Sequence, residues 1–198
     1  KKMIELLTAD TPNGKKISIM LEEIGFEYKV TKINLNPGGE FSKGEQFNPE
    51  FRSISPFSKI PVIIDHDNNK EGIFESGAIL IYLGEKSNKF YEQKDRTKIN
   101  QWLMAQMGYV GPMLGQHHQF HRYNSGKDKW GEERYFKITK TIYGDLDERL
   151  NQSKYLAGEN YSIADIATFP WIARHDWHDI GLKNYQNLSK WYEIISGR

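Results

Sequence analysis

The pattern of apolar and polar positions changes character partway along the chain. In the first third, short strand-like and helix-like stretches alternate. Met3 to Leu7 reads as a strand, and Lys15 to Ile24 as an amphipathic helix whose Ile17, Met20, Leu21 and Ile24 recur at spacings of three and four. Gly25 is placed to stop that helix. Tyr28 to Ile33 alternates like a second strand. The polar stretch Asn34 to Asn48 contains Pro37, Gly38, Gly39 and Gly44 and reads as a loop. A helical turn near Glu50 to Ile54 follows, then an apolar strand at Val62 to Asp65 and a turn through Asp67-Asn68-Asn69. A strand around Gly72-Ile73-Phe74 and a helix from Ser76 to about Lys86 complete the region. The order β-α-β, loop, α, β-β-α implies a parallel pair with a crossover helix, joined to an antiparallel hairpin. That is a small mixed sheet flanked by helices.

Beyond Ser87 no strand pattern recurs. Asn88 to Glu92 reads as a linker, and Arg96 to about His121 as a long helix bent by Gly108, Gly111 and Pro112. Lys129 to about Leu150 forms a second helix, with Tyr135, Ile138, Ile142, Leu146 and Leu150 on one stripe. Ser162 to about Arg174 and Leu188 to Ile195 form two more. The predicted architecture is an α/β domain over residues 1–86, a linker over 87–93 and an all-helical domain over 94–198.

Composition narrows the function classes. With 38% apolar and 27% charged residues among 198, the chain is expected to be globular and not disordered. The balance of 27 Lys+Arg against 26 Asp+Glu leaves no basic footprint for nucleic acid. The longest apolar run, Ala78 to Leu83, is six residues, and mean hydropathy is −0.70, so no membrane span is expected. Glu5 interrupts the apolar start, which lacks the core of a signal peptide, so the reading is cytoplasmic. There is no cysteine, hence no disulfide, no protein thiolate and no zinc–thiolate site.

Three segments carry candidate chemistry. At Ala9-Asp10-Thr11-Pro12-Asn13-Gly14-Lys15 a helix start would present N–H groups and partial positive charge, which can hold an anion, a thiolate included. Thr11 and Asn13 both carry side-chain donors, and either could equally serve as a simple cap. In Ser58-Lys59-Ile60-Pro61-Val62 the proline stands at the mouth of a strand. A cis bond there would turn the backbone of Ile60 outward to pair with an extended peptide, and a trans proline would make an ordinary edge strand. In Phe74-Glu75-Ser76-Gly77, Ser76 could cap a helix or hold a carboxylate, while Glu75 would complement an ammonium. A thiolate site, a peptide-pairing strand and an amino-acid clamp on one small sheet suit γ-glutamyl-cysteinyl-glycine.

On these motifs the chain resembles the cytosolic glutathione transferases, most closely their nu class. Matching stretches include Thr11 to Lys16, Gly44 to Phe51, Ile54-Ser55-Pro56, Lys59-Ile60-Pro61, Phe74 to Ile79, Gly111 to Gln116, Glu133-Arg134-Tyr135 and Leu156 to Asp165, which together cover nearly the whole chain. The resemblance implies a thioredoxin-like N-terminal domain followed by a helical-bundle domain, working as a homodimer. It implies that Thr11 and Asn13 contact the glutathione sulfur, that Ile60 pairs with the cysteinyl unit, and that Glu75 and Ser76 hold the γ-glutamyl end. Lys59 and Gln46 would reach carboxylates or backbone of the peptide. Arg134 would meet a second glutathione, and Gln101 would approach across a dimer interface.

The implied reaction is glutathione-dependent disulfide reduction, with one or two glutathione molecules per site as co-substrate and no metal. Thr11-Pro12-Asn13-Gly14 stands where related oxidoreductases place Cys-Pro-x-Cys, so any exchange must use glutathione sulfur. Conjugation to small electrophiles, or a glutathione-binding or protein-interaction module without turnover, are the alternatives.

Other features read as structure. His117 and His121 lie at i and i+4, a spacing able to bind metal on a helix, but no acidic or thiol partner accompanies them locally. Ser162 and Asp165 form a capping-box variant. Trp171, Trp177 and Trp191 are expected to pack the helical domain, and Tyr109 and Phe120 either line an acceptor pocket or join the core.

Overall fold

A computed structural model describes residues 3–35 and 44–198. The expected loop from Asn34 to Asn48 therefore falls largely, at residues 36–43, outside the described residues. The chain divides into two compact units, Lys1–Lys89 and Phe90–Arg198.

The first unit carries four strands, β1 (Met3–Thr8), β2 (Glu27–Lys32), β3 (Val62–Asp65) and β4 (Glu71–Phe74), in the order β2-β1-β3-β4. β1 pairs parallel with β2, with Leu6 opposite Val30, and antiparallel with β3, with Leu6 opposite Ile63. β3 and β4 form the antiparallel hairpin, Val62 opposite Phe74. Among the described residues, three α-helices accompany the sheet: α1 (Pro12–Ile24), the short α2 (Pro49–Ile54) and α3 (Ser76–Ser87). Ile4, Leu6, Ile17, Met20, Ile63 and Leu80 are wholly buried, because α1 and α3 lay their apolar stripes on the strands. This is the thioredoxin-like arrangement.

Helix α1 begins three residues earlier than its apolar periodicity predicts. Thr11 is its N-cap, with Oγ1 accepting from the Gly14 N–H at 3.1 Å, and Pro12 occupies the first helical position, where its missing N–H costs nothing. Gly25 ends the helix at φ 72°, a left-handed conformation that glycine adopts without a Cβ penalty.

The second unit is helical: α4 (Arg96–Ala105), α5 (Gly111–His117), α6 (Lys129–Gln152), α7 (Ile163–Ile172) and α8 (Gln186–Ser196). The expected long helix over Arg96–His121 is interrupted. A π turn at Gln106–Val110 precedes α5, with Pro112 in the first turn of α5, and a second π turn at His118–Tyr123 follows it. Leu114, Tyr143, Leu146, Ile172, Leu188 and Trp191 build the core of this unit. Trp171 and Trp191 are core members, while the Trp177 ring meets the guanidinium groups of Arg122, 4.7 Å from its centroid, and Arg174, at 4.5 Å. The capping box at Ser162 and Asp165 is formed in both directions. No described helix is long and apolar enough to cross a membrane.

A polar chain runs through this apolar core. Tyr143 Oη lies 2.6 Å from His178 Nδ1, His178 Nε2 lies 2.8 Å from His118 Nε2, and His117 Nε2 donates to the His178 carbonyl at 3.0 Å. His121, stacked on His117, instead meets Asp179. Two facing ring nitrogens bond through a single proton, so His118 and His178 cannot both carry a charge, and burial favours the state in which neither does. Burial, with repulsion from neighbouring histidines and arginines added, pushes His118 down to about 4 and His178 down to about 2; burial also lowers His117.

Unfolded histidines titrate near 6.5, so below that pH the unfolded chain takes up protons that the folded chain refuses. Stability is complete above pH 6.5 and is lost progressively toward pH 4 and below, by about 1.4 kcal/mol per pH unit for each such histidine. Urea midpoints measured between pH 7.5 and 4.5 should fall steeply, and His118→Gln should flatten that slope. Identical slopes in the two proteins would contradict this account.

Candidate functional site

The candidate residues of the first unit occupy the starts of two helices and the mouth of one strand. Thr11 and Asn13 open α1, both half-buried. Thr11 accepts from Gly14, so its hydroxyl hydrogen points elsewhere, and the capping and anion-holding readings of this residue are compatible. Because Pro12 has no N–H and the Gly14 N–H is taken by Thr11, much of what this helix start offers an anion comes from side chains and the helix dipole.

Ile60 precedes a cis peptide bond to Pro61. Its backbone N–H and C=O have no hydrogen-bond partner among the described residues, so both are available to an extended ligand. The approach to this position is fixed by a residue that the sequence analysis missed. Buried Ser55 accepts from the Lys59 N–H at 3.2 Å and donates to the Lys59 carbonyl at 2.7 Å. The Lys59 side chain is exposed.

Glu75 stands immediately before α3 at φ 72°, a conformation costing a non-glycine residue roughly 1–3 kcal/mol and commonest where function requires it. Its side chain is exposed, and the next residue, Ser76, is buried at the helix start. Lys16 of α1 donates to Ser76 Oγ at 3.3 Å, tying the starts of α1 and α3 together. Lys16 was not singled out from sequence, although its position four residues before Met20 sets it within the apolar stripe.

Gln46 lies in a single helical turn at Glu45–Phe47, which is clamped to Asn34 by the Glu45 backbone and carboxylate. Its amide donates to the Leu35 carbonyl at 3.3 Å, and its buried Oε1 has no partner among the described residues, so it can accept one further N–H.

The remaining two candidates belong to the helical unit. Gln101 is exposed on α4. Arg134, exposed on α6, lines a groove of about 430 Å³ with Tyr109, Trp130, Lys137 and Ile138, its guanidinium 5.5 Å from the Trp130 ring centroid. Tyr109 therefore lies in this groove, whereas Phe120 stacks on Tyr135 beside a smaller cleft.

A four-stranded β2-β1-β3-β4 sheet with an Ile60–Pro61 cis bond and a strained Glu75 before a buried serine, followed by a helical unit, defines the glutathione-transferase fold. The family models for the glutathione S-transferase N-terminal and C-terminal domains match residues 4–85 and 112–198, and the chain belongs to that family.

Among curated relatives, the disulfide-bond oxidoreductase YfcG of Escherichia coli (strain K12) is 44% identical over 202 residues, covering 99% of this chain and 91% of the relative. Among solved structures, a glutathione transferase family member from Pseudomonas fluorescens pf-5 with two glutathione bound is 40% identical. Its TM-score is 0.87, spanning 98% of this chain and 88% of that one. Ure2p in complex with glutathione is 30% identical with a TM-score of 0.89, spanning 98% and 94%.

Proposed function

We propose that the protein is a glutathione-dependent disulfide-bond oxidoreductase of nu-class type, acting as a cytoplasmic homodimer. The observation that carries this reading is the start of α1. Thr11 and Asn13 stand there in a chain that has no cysteine at all, so the thiols must come from substrate. Two glutathione thiols are oxidised to one disulfide while the acceptor disulfide is reduced to two thiols, and atoms and electrons balance without a protein thiol. The name of the YfcG relative supports the same chemistry.

The chain's own residues divide the work. Thr11 and Asn13 donate to the sulfur and favour its thiolate, the form that attacks. The unpartnered backbone of Ile60 pairs with the cysteinyl unit. Ser76 takes the γ-glutamyl carboxylate, Glu75 its ammonium, and Gln46 and Lys59 the rest of the peptide. In the helical unit, Arg134 and the groove around it receive a second glutathione or the acceptor, and Gln101 acts across the dimer interface.

The test is glutathione-dependent reduction of a small disulfide, coupled to glutathione reductase. A rate proportional to protein and saturable in glutathione is expected. Absence of that rate, with transfer to a chlorodinitrobenzene electrophile instead, would replace this reading by conjugation. Binding of oxidised glutathione without turnover in either assay would replace it by a binding module.

A further inference from the structure

Lys16 is the most deeply buried cation among the described residues of the first unit, 1% exposed, and it joins the two helix starts that form the candidate site. Burying a charge is unfavourable unless something answers it, and apolar side chains generally fill such places more stably. An ammonium has donors only, so Ser76 Oγ must accept from it, and the Ser76 hydroxyl hydrogen is thereby directed away from Lys16. Glu75, one residue earlier, is the carboxylate whose charge acts on this ammonium.

Resting on the reading that Ser76 receives a ligand carboxylate, we propose that Lys16 is the positioning residue of that clamp. It fixes the Ser76 hydroxyl as a donor to the α-carboxylate of the γ-glutamyl unit and places a buried positive charge behind it.

The other ionisable side chains with assigned partners on the surrounding elements are directed elsewhere. Tyr82 and Lys86 of α3 meet Asp65, Glu5 of β1 meets Lys29 and His66, Lys15 meets Asp10, and Glu22 meets Tyr28. Burial draws Lys16 down to about 7, against the opposing pull of Glu75. An arriving carboxylate favours the ammonium and raises that value. Below pH 7 Lys16 is already charged and binding needs no proton. Above pH 7 the free protein progressively loses the proton, so binding takes up a growing fraction of one and affinity falls as pH rises.

The experiment is calorimetric titration of the intact chain with S-methylglutathione, which has no thiol to ionise, in buffers of different ionisation enthalpy. At pH 7.5 the wild type should take up roughly 0.5–1 proton on binding, and close to none at pH 6. Lys16→Met should bind about tenfold more weakly at pH 6 and lose the uptake. Lys16→Arg, charged at every pH used, should bind with no uptake and a flat profile. Ser76→Ala should cost far less in the Lys16→Met background than alone, because the clamp is already unset.

Lys16→Met binding as tightly as the wild type at pH 6, or Ser76→Ala costing as much in the Lys16→Met background as alone, would overturn the role of Lys16 while leaving the glutathione site standing. Undiminished uptake in Lys16→Met would do the same. A wild type that does not bind S-methylglutathione would overturn the site itself, and the clamp with it.

Discussion

Asn13→Ala is expected to lower kcat for glutathione-dependent disulfide reduction by about 10- to 100-fold, the worth of one charge-assisted hydrogen bond to a thiolate. The reason lies in the local chemistry of α1. Pro12 has no N–H and the Gly14 N–H is committed to Thr11, so the helix start relies on side-chain donors to hold an anion. The Asn13 amide offers two donors where the Thr11 hydroxyl offers one. Thr11→Val should therefore weaken binding less than Asn13→Ala weakens catalysis, though it also removes a cap worth about 1 kcal/mol of stability. The pH–rate profile separates a thiolate donor from a residue that merely shapes the site. Losing the donor raises the pKa of the reacting thiol by about one to two units, so the deficit of Asn13→Ala should shrink between pH 7 and pH 9. Steady-state kinetics across that range would decide the matter. Equal small losses in both variants, or a deficit that does not change with pH, would remove Asn13 from this role.

What the sequence made legible follows from the range of each interaction. The parallel pair, the hairpin and the helix stripes are written in periods of two and three to four, and β1, β3 and α3 fall close to where those periods place them. The start of α1 was visible in Thr11-Pro12 but not in apolar periodicity, because capping residues lie outside the stripe. Lys16 was legible in principle: a charge in register with Met20 and Ile24 must be either buried or displaced, and here it is buried. Ser55 carries no such signal, since its two bonds to Lys59 belong to a non-repeating turn. His118 and His178 lie 60 residues apart, and no local pattern announces that their rings meet. The π turns on either side of α5 were likewise only half visible. Gly111 and Pro112 mark a discontinuity, but its form depends on tertiary packing.

The largest effect on stability is expected at Asp165, of which local sequence reveals only half the role. The capping box accounts for Oδ2, which accepts from the Ser162 N–H at 3.0 Å. The other oxygen reaches further. Oδ1 accepts from the Leu156 N–H at 3.0 Å and from the Trp191 indole at 2.9 Å, so one wholly buried carboxylate joins the start of α7, the segment before it and α8. Asp165→Ala would leave three buried N–H donors without an acceptor, each costing about 1–3 kcal/mol. Removing a carboxylate that burial itself disfavours offsets part of that cost, so a net loss of about 3–5 kcal/mol is expected, a large share of the 5–15 kcal/mol typical of a folded domain. The midpoint of thermal unfolding should fall by on the order of 10–20 °C.

Asp165→Asn is the informative comparison. It keeps one acceptor oxygen but turns an N–H₂ group toward donors, so it should recover only part of the loss. Trp191, 1% exposed and bonded to this carboxylate, reports the change directly: its emission should shift to longer wavelength in Asp165→Ala before global unfolding begins. Calorimetry and tryptophan emission on the same samples check the argument. A variant that melts within a degree or two of the parent would show that water or rearranged backbone satisfies the three donors, and that the carboxylate is not the joint between these helices.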